Sequence, residues 1–378
     1  MSRITERSRA AAGLALGIGM LAFVAGCGGE SSSSSSTSTP AATAQTPAAT
    51  DAASTTTAAA SDGNNTLCVT SNVSFGLAPL FFEGYKEIAK QYGLDYVQKI
   101  ASPDGNLQSA ATNIQQCINA KPKAIVGIAT ESAAVAAPIA AAEKAGIPYI
   151  ADQSGSPVPG VRVQIWGNEY ANSAALVGYL LTSSDRPQNI YVLRASALPV
   201  VARRTAGLLA ALPIERTQLK LAGSSELDLA DVARSATEKT LAAVRANKDV
   251  NVVVAPWDDP AAGALAALKQ LNRDDVKIIT YDGLDSTYET MRGGERRIAA
   301  IAALPAEAFF NVRKLLVGQI LDGSLPPSVN ALCSGPLVTP DSIPAKGELT
   351  PGGSCILNGR VETADELRAA ADAELARQ

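Results

Sequence analysis

Two aspartates, Asp258 and Asp282, stand just beyond apolar, strand-like runs, Asn251–Ala255 and Val276–Tyr281. The chain has no histidine. That removes a Ser-His-Asp triad, a Cys-His pair and every His-ligated metal site. An enzyme built on this chain would need paired carboxylates such as Asp258 and Asp282. Trp257 precedes Asp258, where an indole serves as a stacking platform or a lid. Asp258 itself reads as a helix N-cap, and Asp282-Gly283 also fits a turn. No G-x-x-x-x-G-K-[ST] run occurs, so no ATP site is expected. The residues point to binding rather than catalysis, with no cofactor and no metal.

The elements that must position these residues alternate regularly. Leu67–Thr70 reads as a strand and Leu80–Tyr92 as a helix stopped by Gly93. Strand and helix readings continue through Leu94–Ile100, Leu107–Ala120, Ala124–Ile128, Ala133–Ala145 and Ile147–Ile150. The nearly pure apolar run Ala124–Ile128 fits a parallel strand covered on both faces. A second series begins at Val161–Trp166 and runs to Ile298–Ala302, followed by a long helix over Pro305–Leu321. Such alternation implies right-handed βαβ units and parallel, doubly wound sheets. The fold class is therefore α/β, with two parallel-sheet lobes. Ligands on such sheets sit beyond the carboxyl ends of the strands, where Trp257, Asp258 and Asp282 stand.

The N-terminus carries a different message. A basic start (Arg3, Arg7, Arg9) leads into an uncharged run from Ala10 to Gly26, the layout of a secretory signal. Val24-Ala25-Gly26-Cys27 resembles the lipobox of bacterial lipoproteins, which implies a signal over 1–26 and a diacylglycerol on Cys27. Such a protein is anchored to a membrane and does not span it. The competing reading, an uncleaved transmembrane anchor, needs about 20 apolar residues. Residues 27–65 are dominated by Ser, Thr, Ala and Pro with no aromatic residue, a composition that favours a disordered tether. Loss of 1–26 takes the formal charge from −4 to about −6, and no Lys/Arg cluster points to nucleic acid.

Beyond Cys27 the cysteines are Cys68, Cys117, Cys333 and Cys355. An even number in an exported chain suggests two disulfides. Three connectivities are possible; Cys68–Cys117 with Cys333–Cys355 keeps each bond within its own end of the chain. No C-x2-C spacing supports a zinc site.

Residues 66–345 resemble the periplasmic sugar-binding proteins of the ribose-binding type. The resemblance rests on Gln115–Ile150 with its Thr130-Glu131-Ser132 loop, on Arg204–Leu208, on Ala255–Ala264 and on Ile278–Gly283. It implies two lobes joined by three crossovers, a hinge, and a solute trapped in the interlobe cleft. By the resemblance, the first lobe is 66–166 plus 304–327, and the second is 167–303 plus 328–378. The crossings then fall near Gly167, Leu304 and Pro326. Asp282 matches the cleft aspartate, an acceptor for hydroxyls or a counter-charge for a cation. Arg204 matches the cleft arginine, with Arg203 leaving the register open by one. Tyr281 matches an aromatic of the cleft wall.

Other positions depart from the sugar pattern. Trp257 replaces an asparagine, Gln153 follows Asp152 where an Asp-Arg pair is usual, and Ala303 replaces a glutamine. Ser74 and Phe75 occupy the first loop. Loss of amides and gain of apolar surface point to a sugar-like or a partly apolar solute. The resemblance implies a monomeric, lipid-anchored extracytoplasmic receptor for an ABC permease; the alternative is a sensory receptor signalling to a membrane partner. The tail beyond Ser328 is expected to be a Gly/Pro-rich extension with little secondary structure, ending in a helix over Val361–Arg377.

Overall fold

The computed structural model describes residues 65–71, 74, 76–100, 107–130, 133–153, 158, 160–215, 217–348 and 350–378. The signal, Cys27, nearly all of the tether, and Phe75 lie outside the described residues. Among the described residues no helix is long and apolar enough to cross a membrane.

The chain opens with β1 (Thr66–Ser71), α1 (Ala78–Gln91), β2 (Asp95–Ile100), α2 (Leu107–Asn119), β3 (Ala124–Ile128), α3 (Ala133–Lys144), β4 (Tyr149–Asp152) and β5 (Val163–Gly167). These strands lie parallel in the order β2-β1-β3-β4-β5. The residues of β1 and β3 are buried throughout, as a strand covered on both faces requires. Cys68 on β1 is bonded to Cys117 on α2.

The second series is α4 (Glu169–Thr182), β6 (Gln188–Arg194), α5 (Pro199–Ala211), β7 (Leu219–Glu226), α6 (Val232–Ala246), β8 (Val252–Val254), α7 (Asp258–Gln270), β9 (Lys277–Asp282), α8 (Asp285–Arg292) and β10 (Ile298–Ala303). Its sheet runs β7-β6-β8-β9-β10, again parallel. Both sheets reverse direction beside their first strand, which opens a crevice at the carboxyl ends of β1 and β3 and of β6 and β8. Separate apolar cores pack on each side of each sheet.

The tail corrects the sequence reading. After α9 (Ala306–Leu321) the chain forms β11 (Val329–Ser334), which pairs with β5 of the first sheet. It crosses at Gly335-Pro336, not near Pro326, to lay β12 (Leu337–Val338) against β10. It then returns through 339–353 to β13 (Ser354–Leu357) and β14 (Arg360–Thr363), which extend the first sheet beyond β11. Residues 328–378 therefore belong mainly with the first lobe, and the lobes are joined by four crossings rather than three. The reason is local. Val329, Ala331 and Cys333 alternate with more exposed residues, the period of a half-buried strand. Asn358 and Gly359 both adopt positive φ (49° and 87°), as a two-residue hairpin turn demands. Cys333 and Cys355 stand opposite each other in the ladder and are bonded. The last helix, α10 (Ala364–Leu375), starts with a Thr363/Glu366 capping box and packs on α9 through Leu367 and Ala371, both buried.

Candidate functional site

Residues just past five strand ends converge between the sheets. Leu77 follows β1, Ala129 follows β3, Gln153 follows β4, Trp257 follows β8, and Asp282 ends β9. With Phe81 of α1 they line a cavity of about 110 Å³. Three of them, Ala129, Gln153 and Asp282, hold φ of 50°, 53° and 79°. A left-handed backbone in non-glycine residues costs of order 1–3 kcal/mol each and persists where surrounding structure enforces it. For Asp282 the enforcement is visible: Leu304 donates its backbone N–H to the Asp282 carbonyl at 2.8 Å. Gly283 follows at φ 78°, where an added Cβ would run into the Tyr288 hydroxyl.

Arg204, on α5, points inward. Its Nε donates to Glu169 Oε2 at 2.8 Å, Nη1 to the Pro256 carbonyl at 2.8 Å, and Nη2 to Asp282 Oδ1 at 2.6 Å. The guanidinium also stacks over the Tyr281 ring at 4.9 Å. All three nitrogens are thus bonded within the protein, and Arg204, which also lines the cavity, fixes Asp282. The neighbouring Arg203 lies over Trp166 at 5.0 Å, while Arg204 contacts Asp282. Glu169, at the first turn of α4 and buried, is the partner that sequence reasoning missed; its position just past β5 was the signal for it.

Asp282 is 6% exposed and gives one oxygen to Arg204. Among the described residues no hydrogen-bond donor reaches Oδ2. Burial raises its pKa, while the Arg204 charge and hydrogen bond pull it back in part. Gln153 is equally buried, and its Nε2 has no partner. The cavity therefore holds an open acceptor and an open donor among apolar walls. Buried polar groups are usually paired, which makes the unpartnered Gln153 Nε2 the more informative of the two.

The other expected residues stand behind this wall. Tyr281 is 1% exposed, in the core of the second sheet, with its hydroxyl on Ser173 at 2.9 Å. It is a core residue that supports Arg204, not a cleft-wall aromatic. Asp152 accepts from Tyr85 at 2.9 Å and from Arg313 of α9 at 3.1 Å; Arg313 supplies the base that position 153 lacks. Thr130 is buried and shares a hydrogen bond with the Tyr149 hydroxyl at 2.6 Å. Asp258 is not the N-cap of its own helix: it is the first residue of α7 and accepts from the backbone N–H of Gly283 and of Leu284, each at 3.1 Å. Burial, with the charge of Asp282, pushes its pKa up to about 7. Trp257 is buried, and its indole donates to Asp259 at 3.1 Å. Ser74 is half-buried and lines neither of the cavities described here.

A second cavity of about 270 Å³ adjoins the first, sharing Leu77 and Asp282. Its far wall comes from the fourth crossing, through Glu348 and Thr350. Thr350 and Tyr288 share a hydrogen bond at 3.2 Å. Among the described residues no cluster of His, Cys, Asp or Glu could hold a metal ion.

Comparison with known proteins agrees with this architecture. The family described as periplasmic binding protein domain matches residues 70–307. Comparison with curated proteins gives no match. A solved ABC sugar transporter subunit from Rhodobacter sphaeroides is 20% identical, over 73% of this chain and 98% of that one, with a TM-score of 0.64. A sugar ABC transporter protein from Yersinia enterocolitica is 17% identical over 84% and 97%, with a TM-score of 0.67. The solute-binding protein of a 5-methylthioribose transporter from Thermotoga lettingae, solved with 5-methylthioribose, is 17% identical over 82% and 98%, with a TM-score of 0.66. At these identities the likeness is one of fold.

Proposed function

The chain belongs to the periplasmic binding protein family, and from that membership we propose that it is the lipid-anchored receptor of an ABC importer. The family is one of non-enzymatic, extracytoplasmic solute-binding proteins. In this reading Cys27 carries the lipid, the Ser/Thr/Ala/Pro stretch holds the lobes away from the membrane, and the closed monomer docks on a permease. The solute is small, sugar-like or partly apolar, and poor in hydroxyls.

One observation carries the reading: the cavity between the two sheets is built from strand ends of both, and it is lined by Asp282 and by Gln153, whose Nε2 has no partner among the described residues. A solute that bonds Gln153 on one lobe and Asp282 on the other would favour the closed form by as much as it prefers that form. The backbone near 167–168, 304–305 and 335–336 would absorb the motion as a hinge. Apolar walls limit how many hydroxyls can be satisfied, since each unpaired buried hydroxyl costs roughly 1–3 kcal/mol.

The test is a thermal-shift screen of residues 62–378 against sugars, polyols, nucleosides and aromatic solutes, followed by small-angle scattering with any hit. A rise in Tm together with a smaller radius of gyration supports the receptor reading; a hit with no compaction removes hinge closure. For the anchor, Cys27→Ser should release the protein from the membrane fraction and abolish uptake of the solute. Retained uptake would remove the permease partner.

A further inference from the structure

The charges around the two cavities do not balance. Glu169 and Asp282 are both buried, and one guanidinium, Arg204, serves both. Asp258, a third buried carboxyl nearby, lines neither cavity. The adjoining cavity is lined by Asp282, Asp285 and Glu348 and, among the described residues, by no lysine or arginine. Nearby bases are engaged elsewhere. Arg313 is paired with Asp152 at 2.7 Å, Lys346 with Glu289 at 2.9 Å, and Arg292 donates to the Pro344 carbonyl. Arg203 lies over Trp166 and lines neither cavity.

A neutral polyol entering this space would strip water from Asp282, whose charge is met only by the Arg204 guanidinium that it shares with Glu169, and burying a charge without full compensation is expensive. A polyol would also lay its hydroxyls against Phe81, Ile128, Val201 and Trp257, which offer few partners. A protonated amine reverses both terms. It supplies the missing positive charge, and the rest of such a molecule can be apolar. Burial raises the pKa of Asp282 against the pull of Arg204, and burial together with the Asp282 charge raises that of Asp258.

We propose that the solute is an organic cation, with its protonated amine on Asp282 Oδ2, an acceptor atom on Gln153 Nε2 and an apolar body in the Phe81/Trp257 chamber. Trp257 adds an aromatic surface suited to a cation. Asp285 and Glu348, both exposed at the second cavity, attract cations toward the mouth and raise the rate of encounter. The fourth crossing, which carries Glu348, thereby becomes part of the specificity of the cleft. The inference rests on the solute-receptor reading.

Matched probes test it: phenethylamine against 2-phenylethanol, and choline against 3,3-dimethylbutan-1-ol, with ribose and myo-inositol as neutral polyols. At saturating concentration an amine should raise Tm by about 5 °C, its neutral isostere should leave it nearly unchanged, and Asp282→Asn should remove the difference. An alcohol or polyol that matches its amine, or an amine shift that survives Asp282→Asn, overturns the cation and leaves the receptor standing. Silence from every probe also overturns the cation. Native mass spectrometry of the protein released from its own membranes then judges the receptor separately: a retained solute keeps that reading, and a bare chain removes it.

Discussion

Arg204 Nη2 stands 2.6 Å from Asp282 Oδ1 and leaves the other carboxylate oxygen without a hydrogen-bond donor among the described residues. The arginine thus aims the aspartate. The contact joins α5 to the end of β9, and Asp282 in turn is tied through its carbonyl to Leu304, where the chain passes back to the first lobe. The binding group, the group that orients it and one crossing form a continuous unit.

Asp282→Asn should keep the fold, because asparagine tolerates the left-handed backbone at this position better than most residues. It replaces a charged acceptor, whose hydrogen bonds contribute about 1.5–3 kcal/mol. Isothermal titration calorimetry with any solute found by the thermal-shift screen should therefore show a loss of affinity of roughly 10- to 100-fold. Unchanged affinity would remove Asp282 from the site.

Arg204→Ala should behave differently. It strands the buried carboxylates of Glu169 and Asp282, and removing one partner of a buried ion pair costs about 3–5 kcal/mol. Urea denaturation should show the loss even without solute. A variant as stable as the parent would mean that Arg204 is not the structural base described here.

Asp258 makes stability depend on pH in a defined direction. Its pKa is raised in the folded state to about 7 from an ordinary value of 3.8. Between those values the folded protein holds more protons than the unfolded chain. The contribution is therefore fully present below pH 3.8 and is lost as pH rises through 7, by at most about 4 kcal/mol. Asp258→Asn keeps an acceptor for Gly283 and Leu284 but cannot titrate. Urea midpoints measured from pH 4 to pH 8 should fall for the parent relative to the variant; parallel curves would place the pKa near its ordinary value.

The bond between Cys333 and Cys355, 22 residues apart, closes the excursion that carries β12 into the second sheet. A loop of that size is worth about 3 kcal/mol by the chain-entropy argument. Cys333→Ser/Cys355→Ser should lower Tm, and non-reducing peptide mapping of the parent should recover both this bond and Cys68–Cys117. Free thiols in the parent would contradict the pairing.

Trp257 lines the cavity, and the only other tryptophan, Trp166, does not. In a Trp166→Phe background the emission of Trp257 should change when a solute binds. A silent indole would place the solute outside the Trp257 chamber.

The sequence by itself determined the alternation of elements, because hydrophobic period and glycine stops are local properties. It marked Asp282 and Trp257 because they stand at strand ends, where an α/β crevice must open, and Gln153 because it departs from the Asp-Arg pair of the family it resembles. It also held the hairpin signal Asn358-Gly359, obscured by the Gly/Pro density of the preceding segment. Tertiary structure alone decided which of the marked residues face the cavity. Tyr281, Asp152 and Thr130 share strand-end positions with Asp282, yet their polar atoms are taken by Ser173, Arg313 and Tyr149, partners 19 or more residues away. Neither Glu169 as the second partner of Arg204 nor the return of β11, β13 and β14 to the first sheet follows from spacing. Both depend on how burial brings distant charges and strand edges together, and local sequence carries no record of that.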